Sequence, residues 1–245
     1  MSDLTQALLF PDWPAPASVR ACVTTRQGGV SLPPYETFNL GDHVGDDPAA
    51  VAENRRRLSE QFTIQPAWLK QVHGRVVADA DPAVVAEADA SWTHQPGIAC
   101  TVMTADCLPA LFCNRAGTRV AAAHAGWRGL AAGVLEAAFE RLDAEPADVL
   151  VWLGPAIGPQ AFEVGPEVRE AFMQQLPTTA EAFVPSRNPG KFMADIYQLA
   201  RLRLAARGIT AVYGGGFCTV NDPRFFSFRR SPRTGRFASL IWLER

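Results

Sequence analysis

The chain has 245 residues, of which 48% are hydrophobic and 20% charged, so it carries enough apolar material for one large core. Its formal charge is -2, from 23 basic and 25 acidic residues, which argues against binding to nucleic acid or to an anionic membrane surface. We therefore expect a single domain over residues 1–245 that recognises a small molecule in a pocket, as a monomer or a homodimer.

The N-terminal residues lack the basic start and long apolar stretch of a signal peptide, and no window approaches the roughly 20 apolar residues of a membrane span. We therefore expect a cytoplasmic protein. Five cysteines are an odd number in a chain too large to need disulfides for stability. Reduced thiols or a metal role are favoured over a disulfide framework.

The first predicted elements are a strand over residues 19–25 and a glycine-containing turn over 26–30. A polar loop at 39–46 follows. A helix is predicted over about 48–61, because Asp47 can cap its N-terminus and proline occupies its first turn.

Three apolar segments in the middle of the chain predict strands over residues 68–73, 98–103 and 120–124, with 108–112 as a candidate fourth. The helical spacing of Leu130, Val134, Leu135 and Phe139 then predicts one amphipathic helix over 126–142. Later segments continue the alternation, with strands at 149–153, 211–213 and 239–242 and helices at 166–175 and 195–206. The mixture predicts an α/β domain, although the strand order does not follow from these patterns.

Two histidines and one cysteine share a local setting. His73, Cys107 and His124 each lie at or near the end of an apolar segment, where α/β folds expose functional groups. Two imidazoles and one thiolate suit zinc or copper, and three protein ligands leave a fourth position open for water or substrate. An open position favours a catalytic metal over a structural one.

Other interpretations of these residues stay open at this point. His124 could be a core histidine bonded to the backbone and Cys107 an ordinary buried thiol, as we expect for the remaining cysteines. Cys107 could also be a nucleophile activated by His124, as in cysteine hydrolases. A non-catalytic metal-binding module is the alternative from a different class, and four protein ligands would favour it.

Several motifs together resemble the YfiH family, which is also described as laccase-like, as a multicopper polyphenol oxidase or as a peptidoglycan editing factor. The resemblance extends over nearly the whole chain. Its motifs are Thr25-Arg-Gln-Gly-Gly-Val-Ser31, Asn39-Leu-Gly-Asp-His-Val-Gly-Asp46, Lys70-Gln-Val-His-Gly74, Thr104-Ala-Asp-Cys-Leu-Pro109, His124-Ala-Gly-Trp-Arg-Gly129, Leu153-Gly-Pro-Ala-Ile-Gly158, Phe225-Phe-Ser-Phe-Arg-Arg230 and Thr234-Gly-Arg236.

The resemblance implies a layered α/β sandwich with mixed sheets and a metal bound by His73, Cys107 and His124. It also implies phosphorolysis of adenosine, inosine, guanosine and methylthioadenosine, together with hydrolytic deamination of adenosine. The alternative that it implies is an amidase that removes a wrong amino acid, such as serine, from a UDP-MurNAc precursor.

The residues suit these reactions to different degrees. Deamination needs a metal-activated water and a proton shuttle, for which Asp106 is the first candidate, although it could instead orient a ligand histidine. Phosphorolysis needs cations that place phosphate, and Arg26, Lys70 and Arg128 are the candidates. Asn39 and His43 could contact the ribose or base, or could hold their own loop.

Copper oxidation fits less well, because a multicopper oxidase needs many histidine ligands and the chain has four histidines in total. Copper could still occupy the site, since it binds such ligands more tightly than zinc. The arginine-rich stretch with Arg229, Arg230, Arg233 and Arg236 could be mistaken for a nucleic-acid patch. With a net charge near zero, we interpret it as a structural strand and loop near the site.

Overall fold

A computed structural model describes Leu4 and residues 7–244 as two β-sheets packed face to face, with helices on their outer sides. The helices are α1 (Pro48–Phe62), α2 (Trp127–Ala132), α3 (Val134–Glu140), α4 (Pro166–Gln175) and α5 (Ile196–Ala206), with 3-10 helices at Pro146–Asp148 and Pro177–Ala182. The strands are β1 (Leu8–Leu9), β2 (Val19–Thr24), β3 (Gln65–Ala67), β4 (Leu69–Lys70), β5 (Val77–Asp79), β6 (Ala86–Glu87), β7 (Ala90–Thr93), β8 (Ile98–Thr104), β9 (Leu108–Asn114), β10 (Val120–Ala125), β11 (Val149–Leu153), β12 (Glu163–Val164), β13 (Phe183–Pro185), β14 (Phe192–Ala194), β15 (Val212–Gly214) and β16 (Phe237–Leu243).

Both large sheets are mixed. The first has the order β1-β2-β16-β8-β3 and the second β15-β11-β9-β10-β7-β5; in each, antiparallel pairs form the centre and a parallel pair closes at least one edge. Two small sheets, β12-β14-β13 and β4-β6, lie outside this pair. The predicted α/β class with mixed sheets is confirmed.

The core is divided among three interfaces. Residues of α1 pack against one face of the first sheet, the two sheets pack against each other, and α2 to α5 cover the outer face of the second sheet. Strand β10 contributes to two of these interfaces, because side chains alternate along a strand. Ala121, Ala123 and Ala125 face the helices, whereas Val120 and Ala122 face the first sheet.

Most of the longer predicted elements are confirmed. Strand β11 and helix α4 have the predicted bounds, and Asp47 caps α1 by accepting a hydrogen bond from the Ala49 N–H. Strands β2, β8, β9, β10, β15 and β16 and helix α5 lie within a few residues of their predictions. Among the described residues, no helix combines the length and hydropathy that crossing a bilayer requires.

Two predictions about local structure are wrong. The helix predicted over 126–142 is two helices, because Gly133 adopts the left-handed conformation with a φ of 97° and ends α2. The strand predicted over 68–73 is reduced to β4. His73 has a φ of 61°, and the backbone there turns so that the N–H groups of Val72, His73 and Gly74 reach one buried carboxylate, that of Asp89.

Candidate metal centre

Three chain segments from different parts of the fold meet at one end of the sandwich. Cys107 lies in the turn where the chain passes from β8 in the first sheet to β9 in the second. His124 is the second-last residue of β10. It lies on the same face of the strand as Val120 and Ala122, which pack against the first sheet. His73 lies in the loop after β4.

The atoms of His73, Cys107 and His124 that could ligate a metal all lie within 4.8 Å of one another. The Cys107 Sγ is 3.7 Å from the His73 Nε2, and the two imidazole rings meet edge to face at 4.7 Å between centroids. Within the part of the chain that the structure describes, this is the one group of three or more such side chains. Two imidazoles and a thiolate within this distance fit Zn²⁺ or Cu²⁺.

A buried carboxylate holds both histidines. The Asp89 Oδ1 accepts hydrogen bonds from the His124 Nδ1 at 2.8 Å and from the His73 N–H at 2.9 Å, and its Oδ2 accepts one from the Gly74 N–H at 2.6 Å. With its Nδ1 bonded to Asp89, the His124 imidazole keeps its Nε2 available for a metal. Although burial alone would raise the pKa of Asp89, hydrogen bonds from His124 and from backbone N–H groups hold it below its usual value.

The surroundings of Cys107 favour its thiolate form. Burial would raise the pKa of Cys107, but the positive charge and hydrogen bond of His124, with a smaller contribution from His73, lower it from 9.0 to about 6. Conversely, burial would lower the pKa of His124, but the charge of Cys107 and the hydrogen bond to Asp89 raise it to about 9. Both shifts favour the thiolate of Cys107 beside a protonated His124, and a thiolate is the form that binds zinc.

A glycine at position 126 makes this close approach sterically feasible. A Cβ atom at Gly126 would lie 2.6 Å from the His73 Cδ2 and 3.2 Å from the Cys107 Sγ. Any side chain at this position would therefore displace two of the three ligands.

The side chains of His73, Cys107 and His124 lie at the wall of a cavity of about 490 Å³. This volume is within the range of small-molecule sites. Met103, Trp127, Ile157, Phe162, Ile196 and Phe228 form its apolar wall, and His43, Gln71, Asp106, Arg128, Arg229 and Arg236 supply its polar groups. Phe228 is 52% exposed, so a large aromatic residue is open to solvent at this wall.

Of the other residues predicted for the site, Asp106, Arg128 and His43 line this cavity. Asp106 is held at both carboxylate oxygens, by the Thr219 hydroxyl at 2.5 Å and by the Arg229 N–H at 2.7 Å. The carboxylate that orients a candidate ligand histidine is therefore Asp89 and not Asp106. The exposed His43 ring is 3.4 Å from Asp42.

Arg26, Asn39 and Lys70 do not line the cavity. The exposed Lys70 ammonium pairs with Glu87 at 2.9 Å, and Arg26 binds the carbonyl and carboxylate of Glu36. Asn39 is fully buried, and its side chain contacts backbone and carboxylate atoms of the protein, which corresponds to the loop-holding role considered for it.

Sequence reasoning missed Asp89, Gln71, Arg229 and Arg236. Asp89 carried a usable signal, because it lies between Ala88 and Ala90, and a carboxylate flanked by apolar residues must find partners if it is buried. For the stretch that contains Arg229 and Arg236, the sequence predicts a structural strand and loop near the site. They do lie there, with both side chains at the cavity wall.

Solved structures of similar proteins have the same fold. A crystal structure of a protein from Neisseria meningitidis has a TM-score of 0.95 at 51% identity, covering 98% of this chain and 100% of that one. YlmD from Geobacillus stearothermophilus has a TM-score of 0.87 at 31% identity, covering 94% and 93%.

Sequence comparison finds relatives that are named for an activity. A protein of Pseudomonas aeruginosa named purine nucleoside phosphorylase is 68% identical over 239 residues, 97% of this chain and 99% of that protein. Purine nucleoside phosphorylase YfiH of Escherichia coli is 55% identical over 241 residues, 96% and 98% of the two chains. The family model described as multi-copper polyphenol oxidoreductase laccase matches residues 20–244. This chain therefore belongs to the YfiH, or laccase-like polyphenol oxidoreductase, family.

Proposed function

We propose that the protein is a metal-dependent enzyme that cleaves purine nucleosides with phosphate, giving a free purine base and a ribose 1-phosphate. The observation that carries this proposal is the cavity itself, which is lined by the His, Cys, His group, by an aromatic wall and by three arginines that have no carboxylate partner among the described residues. The names of the relatives at 68% and 55% identity support the same reaction.

His73, Cys107 and His124 would hold the metal, and the donor set fits zinc, with copper as the competing ion. A metal with three protein ligands keeps a coordination position open and supplies Lewis acidity in the cavity. Asp89 would keep both imidazoles in the orientation for binding, since it bonds the ring of one and the backbone of the other.

The apolar wall suits a flat heteroaromatic base. Phe228 offers an open aromatic face, and the side chains of Ile157 and Phe162 complete a surface on which a purine can stack. Burying the base there would place the ribose towards the polar groups of the same cavity. His43 is exposed beside it and is our candidate for a contact to the sugar or base.

The reaction balances without a further reactant. An oxygen of hydrogen phosphate forms a bond to the anomeric carbon as the bond from that carbon to the purine nitrogen breaks. The electron pair of the broken bond stays on the purine, and the purine takes up the proton that hydrogen phosphate carried. The cavity supplies orientation of the two reactants and cationic groups that hold the anionic one.

The same site would accept adenosine, inosine, guanosine and methylthioadenosine, and hydrolytic deamination of adenosine is the finer activity to be tested beside phosphorolysis. For deamination, Asp106 is our candidate proton shuttle. Its hydrogen bonds to Thr219 and to the Arg229 N–H fix the carboxylate at the cavity wall.

The test is product analysis of the zinc-loaded protein with adenosine, in the presence and absence of phosphate. Adenine and ribose 1-phosphate formed only with phosphate support phosphorolysis, and inosine formed without phosphate supports deamination. Cys107→Ala should abolish both. Cys218→Ala is the matched control, because Cys218 is a half-buried thiol that does not line this cavity.

Absence of all these products, with cleavage of a muramyl-serine nucleotide precursor by the same preparation, would refute the nucleoside proposal and support the amidase alternative. Products that persist in Cys107→Ala would refute the role of the metal centre, whatever the substrate.

A further inference from the structure

Three arginines line the cavity, and within the described residues none of them is neutralised by a carboxylate. Arg128, Arg229 and Arg236 all face this space, and the protein's arginine ion pairs involve other residues. The one acidic side chain at the wall, Asp106, is already held at both oxygens by Thr219 and a backbone N–H. The three guanidinium charges therefore exceed the two negative charges at the wall, those of Asp106 and of the Cys107 thiolate.

The backbone of Arg236 is held by the loop that contains Asn39. Its backbone N–H donates to the Asn39 Oδ1 at 2.8 Å, and its carbonyl accepts from the Leu40 N–H at 3.0 Å. Its Cγ packs against Gly41, where a Cβ atom would lie only 2.9 Å away. The buried Asn39 thus fixes the loop from which Arg236 enters the cavity.

The guanidinium of Arg236 is anchored on one side only. Its Nη1 donates to the carbonyls of Thr234 and Gly235, whereas its Nε and Nη2 have no hydrogen-bond partner among the residues that the structure describes. It lines the same cavity as Cys107 and Asp106, and so it faces the space beside the candidate metal centre. Two adjacent N–H groups without partners match the bidentate geometry that an oxyanion offers.

The other two arginines are held by uncharged groups. The Arg229 guanidinium donates to the carbonyls of Ala161 and Glu163 at 3.1 and 3.3 Å, and the Arg128 guanidinium lies 4.4 Å from the centre of the Trp127 ring. Carbonyls and an aromatic face orient these cations without cancelling their charge.

We infer that Arg236, assisted by Arg229 and Arg128, forms the subsite that binds inorganic phosphate next to the metal centre. This inference rests on the proposed phosphorolysis for its biological meaning, but the subsite can be tested by binding alone. It assigns phosphate recognition chiefly to the arginine-rich stretch that precedes β16. Asn39 has a positioning role that acts through Arg236.

The direct test measures binding of inorganic phosphate to the zinc-loaded protein by isothermal titration calorimetry, comparing wild type with Arg236→Gln and Arg236→Lys. Loss of a charge-assisted pair of hydrogen bonds should weaken phosphate binding roughly tenfold to a hundredfold in Arg236→Gln. Arg236→Lys should recover part of that loss, because it restores the charge but not the planar fork. Arg233→Gln is the matched control, since Arg233 lies in the same loop and contacts Tyr35 outside the cavity.

Steady-state kinetics separate an effect on phosphate from an effect on the nucleoside. In Arg236→Gln the KM for phosphate should rise, while the KM for the nucleoside should stay near that of wild type. Asn39→Ala should shift the KM for phosphate in the same direction, and Asn39→Ala in the Arg236→Gln background should add little further effect, since Asn39 acts through Arg236. Bound zinc and the far-ultraviolet circular dichroism of each variant establish that it is folded.

The outcomes distinguish this inference from the proposed function. If Arg236→Gln weakens phosphate binding and no preparation cleaves nucleosides, the subsite stands and the proposed reaction fails. If phosphorolysis is observed but Arg236→Gln binds phosphate as wild type does, the reaction stands and the subsite is refuted. Binding of adenosine 5′-monophosphate but not of inorganic phosphate, in an Arg236-dependent manner, would also refute it, because the cations would then serve a phosphorylated substrate.

Discussion

Replacing Asp89 with asparagine should weaken zinc binding without removing any metal ligand. The carboxylate accepts bonds from the His124 ring and from the backbone N–H groups of Val72, His73 and Gly74. An amide of the same size keeps one acceptor oxygen and turns an NH₂ group towards N–H donors, so part of this set must break.

The expected magnitude follows from what Asp89 does for the histidines. Loss of a carboxylate that orients a ligand histidine costs roughly 10- to 100-fold in metal affinity, or about 1.4 to 2.7 kcal/mol. Asp89 bonds both His124 and the backbone of His73, so we expect the effect in Asp89→Asn to lie towards the upper end of this range.

The assay is competition between the protein and a colorimetric zinc chelator at neutral pH. Asp81→Asn is the control, because Asp81 is exposed and caps its own turn by accepting from the Ala83 N–H. A folded Asp89→Asn variant with wild-type zinc affinity would show that the histidines need no orienting carboxylate and would refute the reasoning.

Three further predictions follow from the same geometry. Gly126→Ala should abolish zinc binding, because the added methyl group would lie 2.6 Å from a carbon of the His73 ring; equilibrium dialysis measures this. In metal-free protein, the rate of alkylation of Cys107 by iodoacetamide should rise with pH and level off above about 6, since its pKa is lowered to that value, and zinc should suppress the reaction. Tyr197→Phe should lower the free energy of unfolding by about 1–3 kcal/mol, because the buried N–H of Ala156 loses its acceptor, which urea denaturation measures.

Each of these predictions has a result that contradicts it. Gly74→Ala is the comparison for Gly126→Ala, since a Cβ atom at Gly74 meets its nearest neighbour at 3.4 Å; equal zinc affinity in both variants would show that the added methyl is accommodated. An alkylation rate that keeps rising towards pH 9.0 would mean that Cys107 has an ordinary thiol. An unchanged urea midpoint in Tyr197→Phe would mean that the Ala156 N–H finds another partner.

The sequence predicted the local elements well where one pattern dominated. Helix α4 and strand β11 were predicted with their observed bounds, because proline at the helix start and a short uniformly apolar run are strong local signals. The prediction of one helix over 126–142 failed at Gly133, since the apolar spacing continues across a residue whose left-handed conformation ends the helix.

The short strands at the sheet edges were missed. Strands β3, β5 and β12 have two or three residues each, too few to show a period of two. Their conformation depends on pairing with partners far away in the sequence, as when β3 aligns with β8. Only the assembled sheet provides those partners.

The residues of the candidate site also fall into two groups, those that the sequence indicates and those that only the tertiary structure places there. The sequence by itself determined which side chains have the chemistry of metal ligands, because His73, Cys107 and His124 stand at or near the ends of apolar segments and within motifs of the YfiH family. Metal binding stays a prediction. The tertiary structure decided what surrounds them, since Asp89 reaches them across the fold and Arg236 enters from the start of β16.

The physical reason is the range of the interactions. Strand and helix patterns depend on neighbours within a few residues, so the chain alone specifies them. The partners of the buried Asp89 carboxylate and of the Arg236 guanidinium depend instead on which loops meet at the end of the two sheets. Lys70, Arg26 and Asn39 lie in motifs as suggestive as that of Arg128, but the packing directs their side chains to ion pairs and backbone contacts outside the cavity.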